Sequence, residues 1–428
     1  MPGRTDNTML SSKSNMVSEI GRRAIPLAAA GAAFAGFAAL WLLGLRGVYR
    51  TLLFHLGVPA FRFPFLDAEE PLAAAECHRA GIDVYRIDPC DYLGRIHVYS
   101  PLWLRADVLP VTTAWTPWAG LAFIGVFLLS LLMLPPVRGR GAALLMAVAA
   151  TSPPVLYAME RGNIDLLVFA MAAATASLCI GKSRGSLAGG YMLVLLSAAL
   201  KYYPVALLVF ALRERPMRCV IIIAVSVAVL GTAVLLDLHE VVHALSLIPR
   251  PGMLKGGFGA RNLGFGLTAL SHWSRGASVM LLVGLVLTIV SVAVICAGRL
   301  QPALAELPDR DMAFLLAGAA LIVTCFFAAQ NAMYRDIHLL LLLPCLLRLS
   351  NHRTEAGKLA ALTVGAVILV MWAKPFGPFV WVLKELAWWW IVAIALAVLW
   401  NVVEQSGILQ HLLPSRFRRQ SALSRVSS

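Results

Sequence analysis

CVIIIAVSVAVLGTAVLL, from Cys219 to Leu236, is an apolar run of 18 residues without a charge. A run of that length, wound as a helix, crosses most of the roughly 30 Å hydrocarbon core of a bilayer. In lipid the backbone N–H and C=O groups must be satisfied internally, which a helix does within its own segment. The same pattern recurs outward in both directions. Ala24–Leu45, Thr116–Leu134, Ala142–Tyr157, Ile164–Ile180, Leu187–Leu200 and Pro204–Leu212 precede it. Ala277–Ala297, Ala313–Ala329, Ile337–Leu347, Leu359–Ala373 and Leu386–Val403 follow it. The reading is an all-α, polytopic transmembrane helical bundle of about 12 spans, one unit over residues 1–428. A mean hydropathy of +0.79, with 60% hydrophobic and 14% charged residues, excludes an ordinary soluble enzyme. No signal-peptide cleavage site follows the first span, which reads as an uncleaved anchor.

Charge sets the orientation. Leu187–Leu212 read as one Pro-kinked helix would give eleven spans; read as two, it gives twelve and puts both termini on one side. With twelve, the basic residues at Arg22, Arg23, Arg138, Arg140, Lys182, Arg184, Arg213, Arg215, Arg218, Arg348, Arg353, Lys358, Arg416, Arg418, Arg419 and Arg425 all face the cytoplasm. The inside then holds 20 Lys+Arg against 8 Asp+Glu, and the outside 16 against 14. Residues 1–23 and 404–428 become cytoplasmic tails, and 46–115 the first extracytoplasmic loop. The net charge of +14 is a topology and anionic-lipid signal, and no basic domain is present to bind nucleic acid. The expected location is a plasma membrane of the bacterial inner-membrane type.

Several spans are short and carry charges at their tips: Glu160, Arg161, Asp165, Lys201, Arg335, Asp336 and His338. A charge at membrane depth faces a cavity or a partner. All of these fall on the outer side in the twelve-span reading. Asp67, in Phe65-Leu66-Asp67-Ala68-Glu69-Glu70, falls there too. So does the Gly-rich segment Gly256-Gly257-Phe258-Gly259-Ala260-Arg261. One polar site on the outer face is the simplest reading.

The order of these motifs resembles glycosyltransferase family 87, which includes the phosphatidylinositol-mannoside mannosyltransferases. Asp67, then Ala73-Ala74-Ala75-Glu76, Gly81-Ile82-Asp83-Val84-Tyr85 and Tyr99-Ser100-Pro101-Leu102 are similar to that family's first outer loop. Arg161-Gly162-Asn163-Ile164-Asp165 resembles its turn between short helices, and Lys201-Tyr202-Tyr203-Pro204 its Lys-x-x-Pro break. Arg261-Asn262-Leu263 falls where the family tends to have Asn-Gln-Ser. Tyr334-Arg335-Asp336-Ile337-His338 before a Leu-rich span and Pro344 resembles its late signature. The resemblance implies a C-type polytopic fold with juxtamembrane helices in the first outer loop. It implies a sugar donor on a polyprenyl phosphate, a lipid or glycan acceptor, and a hexose or pentose transferred, mannose favoured. It implies no cofactor and no metal.

The chemistry of such a transfer is spare. An acceptor hydroxyl attacks the anomeric carbon, a carboxylate takes its proton, and cationic groups stabilise the departing phosphate. A single displacement inverts the anomeric centre. Asp67 is the expected base, with Lys201, Arg335 and Arg261 as expected donor-phosphate ligands. Glu70, Asp83, Tyr85, Tyr99, Arg161, Asn163, Asp165, Asn262 and His338 are the expected auxiliary or substrate-binding residues. The bland reading of Asp67 is helix capping, since Asp67-x-x-Glu70 has a capping-box pattern. A helix that begins at Pro71 and ends at Gly81 would instead leave Asp67 free. Lys201 and Arg335 have a bland reading too, as partners of Glu160, Asp165 or Asp336.

Asp309-Arg310-Asp311 mimics a metal-binding Asp-x-Asp but reads better as helix-start acids. Cys179, Cys219, Cys296, Cys325 and Cys345 lie in or beside apolar spans as small hydrophobes, whereas Cys77 and Cys90 share the outer loop and can bridge if that face is oxidising. A transporter or flippase, or an inactive scaffold of an envelope pathway, is the competing functional class; repeated halves, common in transporters, are not evident.

Overall fold

The computed structural model describes residues 6–181, 183–248, 254, 256–271 and 274–407. Lys182 and the tail arginines Arg416, Arg418, Arg419 and Arg425, which carry part of the charge bias, lie outside the described residues, as does part of the loop before Arg275. The chain begins with a long helix, α1 (Asp6–Leu42), which turns at Gly44 into a short amphipathic one, α2 (Arg46–His55). Next comes α3 (Leu66–Arg79), then a loop with a 3-10 stretch at Pro101–Val108. α4 (Thr116–Ser130), α5 (Arg140–Ala150), α6 (Pro153–Arg161), α7 (Asp165–Leu178) and α8 (Arg184–Leu200) follow. Tyr203–Arg213 is 3-10 helix, and Pro204 at its start marks the break from α8.

The second half contains α9 (Pro216–Leu236), α10 (Leu238–Leu247), α11 (Asn262–Ser271), α12 (Arg275–Ala305) and α13 (Asp309–Ala328). After a 3-10 stretch at Met333–His338 come α14 (Leu339–Leu349), α15 (Glu355–Trp372) and α16 (Pro378–Gln405). Two-residue strands β1 (Gly257–Phe258) and β2 (Asn331–Ala332) pair antiparallel, with Gly257 opposite Ala332.

Seven helices are long and apolar enough to cross a membrane, and α5 with α6, bent by 42°, make an eighth candidate. The chain is therefore an all-α, multi-pass membrane protein. Three shorter apolar helices, Asp165–Leu178, Arg184–Leu200 and Tyr203–Arg213, are additional. A count of twelve takes α14 and each of these as crossings, which belongs to the topology proposed below. α13 and α16 form the centre of the bundle, whereas α1, α9 and α12 present mostly apolar exposed faces such as Val220, Val227, Leu287 and Val294. Those faces suit lipid contact, since lipid tails are as apolar as the side chains they meet. At the centre Trp388 of α16 stacks on Phe258 of β1, with ring centroids 4.3 Å apart, which ties the small hairpin to the core.

Two of the boundaries that differ from the sequence reading bear on the site. α3 starts at Leu66, not at Pro71, so Pro71 lies inside it. α16 starts at Pro378, eight residues before the expected Leu386, and so carries Lys384 and Glu385 within the helix, both buried. In each case tertiary packing overrides a local signal: a proline that removes one helical N–H, and a charged pair that hydropathy places outside a span.

Candidate active site

The start of α3 is fixed by one side chain in an uncommon backbone state. Phe65 has φ of 69°, in the left-handed region that non-glycine residues rarely adopt. Its N–H donates to the carbonyl of Glu160 at 2.7 Å, and its ring sits where a Cβ on Gly120 would clash. Gly162 is also left-handed, at φ 55°, and a Cβ there would lie 3.1 Å from the Cβ of Phe65 and 3.2 Å from that of Ala68. Glycine at 120 and 162 thus lets α3 dock directly on the turn after α6. The strain at Phe65 persists because the neighbours on both sides hold it.

Docking brings Asp67 onto that turn. The carboxylate is buried. Its Oδ1 accepts from Arg161 and, at 3.4 Å, from Arg95; its Oδ2 accepts from Asn163 at 2.6 Å. Neither expectation about the local helix holds. Asp67 is not free ahead of a helix, because it lies in the first turn of α3. Nor does it cap, because Phe65 occupies the cap position without a side-chain bond and the Asp67 carboxylate is engaged by Arg161, Asn163 and Arg95. The capping-box partner Glu70 instead meets His97, Oε1 to Nδ1 at 3.0 Å.

Arg95 extends the cluster. It bonds Asp91 at 2.6 Å, Glu69 at 3.0 Å and the carbonyl of Leu66 at 2.7 Å. Burial pushes the Glu69 carboxyl up to about 7, against the N–H that Tyr92 donates to it at 2.9 Å. Burial likewise pushes Asp88 up to about 6, although Cys90 and Asp91 donate backbone N–H groups to it. Cys77 and Cys90 are joined by a disulfide that pins α3 to this loop. Asp83 accepts from the N–H of Tyr85 and shapes the turn after α3; the Tyr85 ring packs edge-on against His97.

The same five-residue turn ends in a second cluster. The side chain of Asn163 caps the N–H of Asp165 at 2.9 Å, while Asp165 itself is fully buried at the start of α7. Asp165 accepts from Lys201 at 2.8 Å and from the Tyr203 hydroxyl at 2.7 Å, and Arg335 lies 3.5 Å away. Tyr203 in turn meets Nε2 of His338 at 2.7 Å. Arg335 bonds Asn331 and lies 5.0 Å from the ring centroid of Tyr203. The Lys201 ammonium sits between Tyr99 and Tyr334, 5.6 and 5.5 Å from their ring centroids. Lys201 and Arg335 therefore both hold Asp165, the bundle pairing weighed against a donor role.

The Gly-rich segment reaches this region through the hairpin, since β2 runs into Met333–His338. Asn262 is buried, accepting from the N–H of Leu254 at 3.0 Å and from Gln330 at 2.6 Å, whereas Arg261 beside it is exposed. Sequence reasoning missed the anchor of this segment. Lys384 donates to the carbonyls of Leu254 at 2.8 Å and Gly257 at 2.9 Å, and pairs with Glu385 at 3.1 Å. An adjacent Lys–Glu in an otherwise apolar stretch was the signal that could have found it. Arg95 and Tyr203 were also missed. Nothing but spacing near Asp67 or beside Lys201 marks them in the chain.

Asp309 and Asp311 lie in the first turn of α13, paired with Arg213 at 3.0 Å and Arg348 at 3.1 Å, as helix-start acids should be.

The two clusters differ in formal charge. Around Asp67 stand three carboxylates, with Glu69 and Asp91, against two guanidinium groups, Arg95 and Arg161. Around Asp165 stands one carboxylate against two cations, Lys201 and Arg335. One side of the turn is thus suited to accept a proton and the other to attract an anion.

Glycosyltransferase family 87 matches this chain over residues 98–324, more than half its length, and the chain belongs to that family. No curated protein and no solved structure matches it. The matched segment contains Tyr99, Arg161, Asn163, Asp165, Lys201, Arg261 and Asn262; Asp67 precedes it, and Arg335, His338 and Lys384 follow it. The protein is a membrane glycosyltransferase.

Proposed function

We propose that this glycosyltransferase moves a hexose or pentose, mannose favoured, from a polyprenyl-phosphate donor to a lipid or glycan acceptor, with inversion and with Asp67 as general base. The observation that carries the reading is the grip on Asp67. A carboxylate offers about four lone pairs. Oδ1 accepts from two guanidinium groups, whereas Oδ2 accepts only from Asn163 and keeps a lone pair for an acceptor hydroxyl. As the hydroxyl oxygen bonds to the anomeric carbon, its proton passes to Oδ2 and the bond from that carbon to the phosphate oxygen breaks. The excess cation at Lys201 and Arg335 favours the leaving phosphate, which departs as an anion and needs no proton. Arg261, exposed on the Gly-rich segment, is a further donor contact from the solvent side, with Asn262 holding that segment in place. Glu70, Asp83 and Tyr85 shape the loop around Asp67, Tyr99 and His338 line the Lys201 side, and Arg161, Asn163 and Asp165 form the turn between.

In this reading the short elements count as crossings, which gives twelve spans over the whole chain. The site then faces outward from a plasma membrane of the bacterial inner-membrane type. The 46–115 loop is extracytoplasmic, and 1–23 and 404–428 are cytoplasmic tails. Labelled polyprenyl-phosphate mannose, supplied to the purified protein with a membrane lipid extract as acceptor, tests the activity. Asp67→Asn should lower transfer by about 10² to 10⁴, the usual contribution of a positioned base. Near-normal transfer per folded molecule would retire Asp67 as the base.

A further inference from the structure

Against the outer end of α1 lies a cavity of about 770 Å³. One face of α1 walls it, through Phe34, Phe37, Ala38, Trp41 and Leu42, which recur at helical spacing. Leu121 and Pro117 of α4 form the opposite lip, both exposed on the apolar surface of the bundle beside the exposed Trp118. The cavity is thus open sideways, toward where lipid lies. Its inner end is closed by Phe65, Glu69 and Glu160. Those residues border the Asp67 cluster directly: Glu160 precedes Arg161, and Glu69 shares Arg95 with Asp67. Glu160 is buried and bonds the Tyr49 hydroxyl, but its Oε2 has no partner.

The charges on this lining are one-sided. Glu69 and Glu160 are its ionisable carboxyl groups, and no Lys, Arg or His contributes to it. The cations of the site, Lys201 and Arg335, stand with Asp165 at the far end of the turn. An aromatic and aliphatic trough that ends in carboxyl groups fits a hydrocarbon chain bearing a hydroxylated, uncharged head. Hydroxyls can bond either form of a carboxyl group, whereas a phosphate there would face the Glu69 and Glu160 carboxyls with the nearby Arg95 already engaged by Glu69, Asp91 and Asp67.

We propose that the trough between α1 and α4 is the lateral entry for the acceptor, and that the acceptor is lipid-borne with an uncharged, hydroxyl-rich head reaching Asp67. This rests on the glycosyltransferase reading above and deepens it: the acceptor enters from the α1–α4 side, and the anionic donor head occupies the Lys201–Arg335 side.

Two diazirine-bearing probes of equal chain length test it, a dodecyl glucoside and a dodecyl phosphate. Each is photolysed with the purified full-length protein in nanodiscs at pH 8, above the value of about 7 at Glu69. Labelled peptides are then mapped by mass spectrometry. The glucoside should label the Phe34–Leu42 and Pro117–Leu121 segments saturably, and the phosphate about tenfold less, a difference of about 1.4 kcal/mol in affinity. Ala38→Trp, which fills the trough, should remove the saturable part while labelling of the lipid-facing α9 stays constant. Leu121→Trp provides the same test from the opposite wall. Equal labelling by the phosphate would overturn the proposal, as would glucoside labelling that never saturates. The readout needs no turnover, so loss of transfer in Asp67→Asn bears only on the catalytic reading.

Discussion

Asp67 and Asp165 are both buried carboxylates held by basic partners from or beside one short turn, yet their surroundings differ in kind. The partners of Asp165 come from the bundle: Lys201 at the end of α8, Tyr203 at the next break and Arg335 before α14. Those of Asp67 come from the turn and from the loop after α3, with two guanidinium groups on Oδ1 and Asn163 alone on Oδ2. The first arrangement joins distant segments. The second, in the proposed mechanism, aims a proton acceptor. The comparison teaches that burial and ion pairing alone do not single out a catalytic carboxylate; the proposal for Asp67 rests on the origin of its partners and on the lone pair left over.

The largest expected effect separates the two functions of Asp67. Asp67→Asn removes the proton acceptor and also leaves the buried Arg161 without its charge partner, a loss worth about 3–5 kcal/mol for a buried pair. The single variant should therefore be both slow and less stable. Adding Arg161→Gln should recover most of the melting temperature and none of the rate. If the double variant also recovers transfer, Asp67 holds the fold and nothing more.

Asp165→Asn should reverse that pattern. It strands the buried Lys201 and the half-buried Arg335, so a stability loss of about 3–5 kcal/mol is expected, read as a lower melting temperature in detergent. Transfer per folded molecule should change far less than in Asp67→Asn. A variant of normal stability with lost turnover would erase the distinction between the two clusters.

Breaking the disulfide acts on the Asp67 side only. Cys77 and Cys90 are 13 residues apart, and closing so short a loop contributes on the order of 3 kcal/mol in the chain-entropy model. Cys77→Ala with Cys90→Ala should loosen α3 and raise proteolysis of the 80–100 loop, with protection of α7 and α8 unchanged. Hydrogen exchange followed by mass spectrometry reads both regions at once.

The smallest effect is a pH dependence. Burial raises the Glu69 carboxyl from 4.5 unfolded to about 7 folded. Between those values the folded protein binds more protons than the unfolded one, so stability falls as pH rises through that window and is flat above it. Glu69→Gln should flatten this part of a melting-temperature profile. The Asp88 contribution, of the same sign between 3.8 and about 6, should remain.

The sequence made the seven long spans plain because lipid imposes a long, uniform pattern on them, whereas the shorter apolar helices carry too little of that pattern to be counted as crossings from it. It also pointed to Asp67, Arg161, Asn163, Asp165, Lys201, Arg335 and His338 as charged or polar exceptions to that pattern. It did not pair them: nothing in the chain says that Lys201 meets Asp165 rather than Glu160, because pairing is set by how the helix ends cross. Pro71 misled, since its local preference for a helix start was weaker than the packing of Phe65 against Gly120 and Gly162. Lys384 was overlooked because its partners are backbone carbonyls, Leu254 and Gly257, which no side-chain pattern announces.

The turn from Arg161 to Asp165 has one more consequence. Asn163 uses both ends of its amide, donating to Asp67 and accepting from the N–H of Asp165. In the proposed mechanism, a ligand that displaced this turn from either side would act on the other side through the Asn163 amide. Whatever free energy of coupling results must be the same read in either direction. A donor that tightens acceptor binding through Asn163 is itself tightened by the acceptor to an equal degree, so the order of binding would be a matter of rates alone.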